Sequence, residues 1–286
     1  MSSKKSINGA VLFLVLILVL GNAVFGGLYV YEKFSKEEVK EQSDSKNMDE
    51  KEENKKLDIA SKMVEDLYSS IPTFEGLVDH KSVYQNKLIN VGNFESEYLR
   101  SFAFSKLDID KISKEPVKVL NDDGELVDIV DENWFSFDAK ILQDKMLELY
   151  NNKIEDGSFE VSYAASASYE DGKYQFGVGG TGSYYSYLVR NIDSAYETED
   201  ELVIEDKFLY VLYGSLNDDG NYSIEIYDTS DKKNMIYKEN TDESILSINV
   251  LNSYINKNLS KMKKYKHVFK KNTKGNYYWV STEPIV

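Results

Sequence analysis

The chain has 286 residues, of which 42% are hydrophobic and 13% aromatic, so it can bury one large core or two small ones. It contains no cysteine, which excludes disulfides, thiolate catalysis, zinc fingers and a lipid-modified amino-terminal cysteine. The formal net charge of -15 disfavours nucleic acid as a partner of the whole surface. Lysine is far more frequent than arginine, and asparagine, isoleucine and tyrosine are plentiful, which is typical of an AT-rich bacterial genome.

Residues 7–31, INGAVLFLVLILVLGNAVFGGLYVY, carry no charged side chain. A helix needs about 20 apolar residues to cross the hydrocarbon core of a bilayer, so this segment predicts a transmembrane helix with some tilt. The alternative is a signal peptide cleaved after Ala23, but apolar sequence continues beyond that site and favours a retained anchor.

Residues 1–6 form a short tail with Lys4 and Lys5, and residues 32–56 are almost wholly charged or polar. The count of lysines on the two sides of the span does not choose an orientation, but long domains translocate largely regardless of charge. We therefore predict a cytoplasmic amino terminus and an extracytoplasmic domain at residues 57–286. The charged segment is a stalk, either solvated or helical.

Three amphipathic helices are predicted in residues 57–156, which we expect to be mainly helical. The first is an apolar stripe of Leu57, Ala60, Met63, Val64, Leu67 and Ile71 that ends at Pro72. The second follows a cap at Asn93, and the third runs from Asp138 to Tyr150 with Leu142, Met146, Leu149 and Tyr150 facing inward. A turn or hairpin is predicted at NDDGELVDIV between the last two helices.

After residue 157 the hydrophobic period changes to two, which predicts a mainly antiparallel β region with a late helix. Odd positions from Phe159 to Tyr169 are apolar or small, as in a strand with one buried face. The Asp171-Gly172 pair then predicts a two-residue hairpin turn, in the register Tyr169 with Tyr174 and Ala167 with Phe176.

The same hairpin contains a G-x-G-x-x-G pattern at residues 177–182, a motif of phosphate-binding loops. A dinucleotide loop must open a helix inside a βαβ unit, whereas SYYSYLV follows here. In the predicted register Gly177 and Gly179 fall opposite Ser166 and Ala164. We interpret the glycines as part of a smooth, small-residue face that another element can approach closely, and we predict no cofactor.

The remaining elements are predicted from apolar runs and turns. Residues 208–213 are apolar enough for a central strand buried on both faces, and a strand with Tyr222, Ile224 and Ile226 inward follows the NDDG turn. A late helix carries Ile245, Ile248, Ile255, Leu259 and Met262, and NYYWVSTEPIV closes the chain as a strand. We therefore predict an α+β fold, with helices packed on an antiparallel sheet behind the transmembrane helix and stalk.

Side chains that could carry chemistry form no recognisable constellation. The acidic pairs are too numerous to single out two carboxylates, and neither NDDG segment supplies the closing glutamate of a calcium loop. The two histidines, His80 and His267, lack metal-ligand spacing and a partner serine, so each is expected at the surface. We predict no catalytic residue and no metal site.

One charged stretch is unusual: residues 257–274 contain eight lysines and no acidic residue. These lysines are a candidate patch for anionic headgroups or wall polymers. The alternative is that they favour the carboxyl end of the late helix and a solvated loop. The eight are Lys257, Lys261, Lys263, Lys264, Lys266, Lys270, Lys271 and Lys274.

The carboxyl end, YKHVFKKNTKGNYYWVSTEPI at residues 265–285, resembles the closing segment of uncharacterised membrane-anchored proteins of low-GC Gram-positive bacteria. A phenylalanine-lysine-lysine strand, a glycine-asparagine turn and an aromatic strand recur in that family. The resemblance covers about 20 residues, implies an extracytoplasmic domain, and carries over no catalytic residue.

Together these features predict a single-pass cell-envelope protein whose exported domain binds or scaffolds an envelope protein or polymer without catalysis. It would contact the bilayer through residues 7–31 and would not bind nucleic acid. Two alternatives stay open. One is an envelope hydrolase that uses two of the many carboxylates, and the other is a cytosolic domain on an anchor of reversed topology.

Overall fold

The computed structural model describes residues 54–73, 82–120, 123–162, 164–179, 186–216, 222–241 and 248–285. They belong to one compact unit, Asn54–Val286. The predicted transmembrane span and nearly all of the stalk lie outside the described residues. Of the helices within them, none has the length and apolarity needed to cross a bilayer.

The predicted α+β class is wrong, because the described chain is mainly antiparallel sheet. Strands make up 44% of it and helices 23%. The first two helices are shorter than predicted. Several strands were not predicted, since they are very short or carry charged residues on one face. The fold is therefore β-rich, with helices filling the space beside the sheets.

The larger sheet has eight antiparallel strands. Six follow the order β1-β9-β10-β13-β14-β2, and β11 with β12 branches from the second half of β10. The strands are β1 (Lys55–Lys56), β2 (Ile89–Asn90), β9 (Ser186–Glu197), β10 (Glu201–Leu216), β11 (Tyr222–Tyr227), β12 (Met235–Thr241), β13 (Lys263–Lys271) and β14 (Tyr277–Pro284).

Strand β10 is the centre of this sheet, as its apolar run predicts. It pairs with β9 along one edge, and along the other with β13 through Phe208 and with β11 from Tyr210. Phe208 and Tyr210 belong to one core, whereas Leu209 and Val211 belong to a second core on the opposite face. The prediction of a strand buried on both faces is confirmed.

The smaller sheet has four antiparallel strands in the order β5-β8-β7-β6, and a separate hairpin pairs β3 with β4. That hairpin confirms the turn predicted at NDDGELVDIV. The strands are β3 (Val117–Leu120), β4 (Leu126–Ile129), β5 (Trp134–Asp138), β6 (Phe159–Ser162), β7 (Ala165–Glu170) and β8 (Lys173–Val178).

The β7–β8 hairpin has the predicted register. Tyr169 lies opposite Tyr174 and Ala167 opposite Phe176, across a turn in which Asp171 and Gly172 both have positive φ. The single strand predicted from Phe159 to Tyr169 is wrong, however. The chain reverses after β6, which folds back so that Phe159 pairs with Ala167.

Four helices are described: α1 (Lys62–Ser69), α2 (Ser96–Ser105), α3 (Ala139–Tyr150) and α4 (Ile248–Asn258). Helix α3 and its inward residues confirm the prediction, with the Asp138 side chain accepting from the amide of Lys140. Helix α1 begins later than predicted, after a cap at Ser61, and leaves Met63 exposed. Helix α2 has Glu95, not Asn93, at its N-cap position, without a side-chain capping hydrogen bond, and Asn93 lies in a short 3-10 turn.

Two hydrophobic cores hold the unit together. The larger joins the inner faces of both sheets to α1, α2 and α3, and the smaller packs α4 on the outer face of β9, β10 and β11. Of the predicted late-helix residues, Ile255 is buried, and Leu259 and Met262 are half-buried against the smaller core. Leu251 and Tyr254 of α4 are also buried, which the pattern does not predict. Ile245 lies outside the described residues.

Candidate functional site

A group of polar side chains is buried on the inner face of the larger sheet, inside an otherwise apolar core. We call it the Asp206 cluster, and it consists of Tyr68, Tyr84, Arg190, Asp206, His267 and Thr282. Strand register brings the four sheet residues together: β10 Phe208 lies opposite Arg190, β10 Ile204 opposite His267, and His267 opposite Thr282. Asp206, His267 and Thr282 have no solvent-exposed surface.

The Asp206 carboxylate is the acceptor at the centre of the cluster. The hydroxyl of Tyr68 donates to Oδ2 at 2.6 Å, and the hydroxyl of Tyr84 donates to the same oxygen. The Arg190 guanidinium lies 3.9 Å from Oδ2 through Nε. The two phenols therefore connect α1 and the segment before β2 to the middle of the sheet.

Arg190, on β9, also bonds to α1 and to the segment before β2. Its Nε donates to the Tyr84 hydroxyl at 2.7 Å, Nη1 to the Thr73 hydroxyl at 3.1 Å, and Nη2 to the Tyr68 carbonyl at 3.2 Å. The guanidinium also lies over the Tyr68 ring, 4.0 Å from its centroid. Every guanidinium nitrogen thus has a partner at a site with little access to water.

His267 occupies the other side of the carboxylate. Its Nδ1 lies 2.7 Å from the hydroxyl of Thr282, which also accepts from the Trp279 indole at 3.1 Å. Its Nε2 lies 2.9 Å from Asp206 Oδ1, without the alignment of a hydrogen bond. The two ring nitrogens therefore face the Thr282 hydroxyl and the Asp206 carboxylate, one on each side of the ring.

The environment favours the protonated forms of the two phenols and of the guanidinium. Burial raises the pKa of Tyr68 and of Tyr84 well above the ordinary range, so both phenols stay protonated. Burial alone would lower the pKa of Arg190, but Tyr68, Tyr84 and Asp206 outweigh it and the pKa is raised. The carboxylate and guanidinium therefore balance each other's charge inside the core.

The chain Asp206–His267–Thr282 has the connectivity of an acid–base–nucleophile triad. All three side chains are fully buried, however, and the Thr282 hydroxyl is already bonded to Trp279 and His267. No substrate can reach that hydroxyl in this arrangement. The geometry instead supports a structural role, with a buried polar network that joins α1, β9, β10, β13 and β14 and in which Asp206 Oδ1 and His267 Nε2 face each other without a hydrogen bond.

The sequence-based placement of His267 at the surface is wrong. Strand β13 turns Tyr265, His267 and Phe269 toward the core by its period of two, and all three are fully buried. His80 lies outside the described residues. The sequence analysis did not predict the other members of the cluster either. The charged Asp206 within an apolar strand is the sequence feature that could have indicated a buried polar site.

The candidate lysine patch is not a set of unpaired charges. Five of the eight lysines lie on β13, which the alternative reading expected to be a loop, and four of these form ion pairs between strands. The pairs are Lys264 with Asp193, Lys266 with Glu283, Lys270 with Glu201 and Lys271 with Glu197, at 2.6, 3.5, 3.3 and 3.1 Å.

The other four lysines are spread over separate elements. Lys263 bonds Asn86, Lys257 and Lys261 lie over the rings of Tyr254 and Tyr237, and Lys274 lies in the β13–β14 turn. Anion binding by this stretch stays a prediction, and the ion pairs on β13 weaken it because they already neutralise much of the charge.

The small-residue face interpreted from the glycine pattern lies on the outer side of the smaller sheet. Gly177 is opposite Ser166, and the Gly179 amide donates to the Ala164 carbonyl at 2.7 Å. The element that approaches is a side chain: a Cβ on Gly177 would lie 2.4 Å from Cζ3 of Trp134. The face forms a shallow groove of about 190 Å³ beside this indole, the Trp134 groove.

Metal binding finds no support within the described ranges, where no group of three or more histidine or acidic side chains comes together. Gly124 of the first NDDG segment has a positive φ in the β3–β4 turn, as a hairpin turn requires. Asp218 to Gly220 of the second lie outside the described residues.

Comparison with protein-family models, curated proteins and solved structures found no match.

Proposed function

We propose that the chain is a single-pass, membrane-anchored protein of the cell envelope. Its domain, held outside the membrane on a charged stalk, binds or scaffolds an envelope component without catalysis. The observation that carries this proposal is the uncharged apolar segment at residues 7–31, which is long enough to span a bilayer. The resemblance of residues 265–285 to anchored extracytoplasmic proteins agrees with it.

The described domain includes the last three residues of the predicted stalk, residues 54–56. The compact unit begins at Asn54, and its first strand, β1, pairs with the end of β9 through Lys55 and Lys56. Asp206 and His267, which face each other, are enclosed in the core. A domain arranged in this way is suited to recognition by its surface.

Labelling of introduced cysteines tests the location directly, because the chain has no cysteine of its own. Lys153→Cys places a thiol at an exposed position after α3, and Ser3→Cys places one before the apolar segment. In intact cells that produce the protein, a membrane-impermeant maleimide should label the Lys153→Cys variant in the membrane fraction. The Ser3→Cys variant should react only after lysis.

Labelling of Ser3→Cys but not Lys153→Cys in intact cells would show the reversed topology. Recovery of the Lys153→Cys variant from the medium, with an amino terminus near Val24, would show a cleaved signal peptide. Either result would overturn the proposal.

A further inference from the structure

The Trp134 groove combines an aromatic ring with polar side chains on a flat sheet surface. On the outer face of the smaller sheet, Trp134, Gly177 and Ser166 lie in one row across three strands, and Gln175 and Ser168 lie in the next. Such rows place side chains roughly 5 Å apart across strands and 7 Å apart along them. Val117 and Lys118 of β3 form the remaining wall.

The indole of Trp134 packs against Gly177, which has no side chain to push it away. A Cβ at Gly177 would meet three atoms of the six-membered ring at 2.4, 2.8 and 3.0 Å, so the ring packs directly on the β8 backbone. Trp134 is half-buried and lines the groove. A ring fixed in this way offers a stacking surface with little loss of side-chain entropy on binding.

The polar groups around the indole are available to a ligand. Ser166, Ser168 and Gln175 make no side-chain hydrogen bond within the described part of the chain, and both serines are exposed. They supply donors and acceptors in neighbouring positions of the sheet. Hydroxyl groups arranged around a flat ring would complement them.

The described lining of the groove carries little charge, although the protein as a whole is strongly acidic. Lys118 is its single charged lining residue among those described, and the Lys118 ammonium lies 3.6 Å from the Asp128 carboxylate. A neutral lining does not select for an anion or a cation. The volume of about 190 Å³ is below the range of roughly 300–1,000 Å³ for sites that enclose a whole small molecule, so one ring of a longer chain fits it better.

We infer that the Trp134 groove binds a neutral polysaccharide, with one sugar ring stacked by its C–H face on the indole and its hydroxyls bonded to Ser166, Ser168 and Gln175. This inference names a ligand class for the binding domain and rests on the proposed function, since such polymers lie outside the membrane. The binding test uses purified protein, so its failure is distinguishable from a failure of the labelling test.

The test is titration of the full-length protein, in a detergent without a sugar headgroup, with short neutral oligosaccharides: β-1,4-linked glucose, β-1,4-linked N-acetylglucosamine and α-1,4-linked glucose. Calorimetry and tryptophan fluorescence report binding. At least one series should bind saturably, and Trp134→Ala should weaken it by about tenfold, the value of a lost aromatic contact. Gly177→Ala, which displaces the indole without removing it, should also weaken binding.

Tyr169→Ala is the matched control, because it removes an exposed aromatic ring from the same sheet and not from the groove. Its affinity should equal that of the unchanged protein. The inference is overturned by absence of binding at millimolar oligosaccharide, or by affinity that survives both Trp134→Ala and Gly177→Ala. Tighter binding of an anionic polyol phosphate than of every neutral series would overturn it as well.

Discussion

Replacing Asp206 with asparagine tests whether the Asp206 cluster holds the fold together. The change keeps the shape of the side chain and removes its charge, so the Arg190 guanidinium, 3.9 Å away, loses its counter-charge. The hydroxyls of Tyr68 and Tyr84 lose a charged acceptor in the same step. Both effects occur in the core, where solvent cannot compensate for them.

The magnitude follows from these contacts. Hydrogen bonds to a charged group contribute about 1.5–3 kcal/mol each, and an asparagine oxygen in the place of Oδ2 would accept from both phenols only as a neutral group. Removing one member of a buried charged pair typically costs about 3–5 kcal/mol. We therefore expect Asp206→Asn to lower the free energy of unfolding by about 3–5 kcal/mol, and added salt should not diminish the loss, because buried pairs are poorly screened.

Urea unfolding followed by tryptophan fluorescence measures this loss, because Trp279 is fully buried and bonded to the cluster through Thr282. Asp193→Asn is the matched control. That aspartate bridges Lys207 and Lys264 at 2.8 and 2.6 Å near the surface, and such pairs are worth about 0–1 kcal/mol. If Asp206→Asn cost no more than Asp193→Asn, the structural role of the cluster would be refuted.

A double variant sharpens the experiment. Asp206→Asn combined with Arg190→Gln removes both charges, so neither is left uncompensated in the core. The double variant should therefore be less destabilised than the sum of the two single variants. Additive losses would show that the two side chains act independently.

Three further changes probe other parts of the fold. Tyr84→Phe removes the hydroxyl between Asp206 and Arg190 while keeping the ring stacked on Phe208, and should cost about 1–3 kcal/mol in urea unfolding. Leu209→Ala opens a cavity in the smaller core and should cost about 2–5 kcal/mol in the same assay. Tyr277, Lys271 and Lys55 lower the pKa of Glu197 to about 2, so its contribution is present above the ordinary glutamate pKa of about 4.3 and is lost as pH falls toward 2. The difference in urea midpoint between the unchanged protein and Glu197→Gln should shrink over that interval.

The parts of the fold that the sequence predicts are those set by neighbouring residues. The β7–β8 hairpin needs only a period of two and the Asp171-Gly172 turn, and the whole register follows from them. Helix α3 needs only its Asp138 cap and an apolar stripe. In both cases the interactions that decide the structure span a few residues, so the pattern contains them.

The fold class could not be predicted in the same way, because distant segments make the sheets. Strand β1 is two residues of lysine that become a strand by pairing with Tyr196 and Glu197. Strand β13 was hidden by the lysines on its outer face, whose carboxylate partners lie on β9, β10 and β14. Neither segment carries a local signal strong enough to distinguish it from a loop.

The Asp206 cluster could not be predicted from the sequence for a related reason, because its members come from α1, the segment before β2 and four strands. Their convergence also bears on function. Asp206, His267 and Thr282 are fully buried in the core. Under the proposed function, a ligand would contact the outer surfaces. There, lysines of β13 are paired with carboxylates, whereas Ser166 and Gln175 beside Trp134 make no side-chain hydrogen bond within the described residues. That contrast is why we assign ligand binding to the Trp134 groove and not to the lysine stretch.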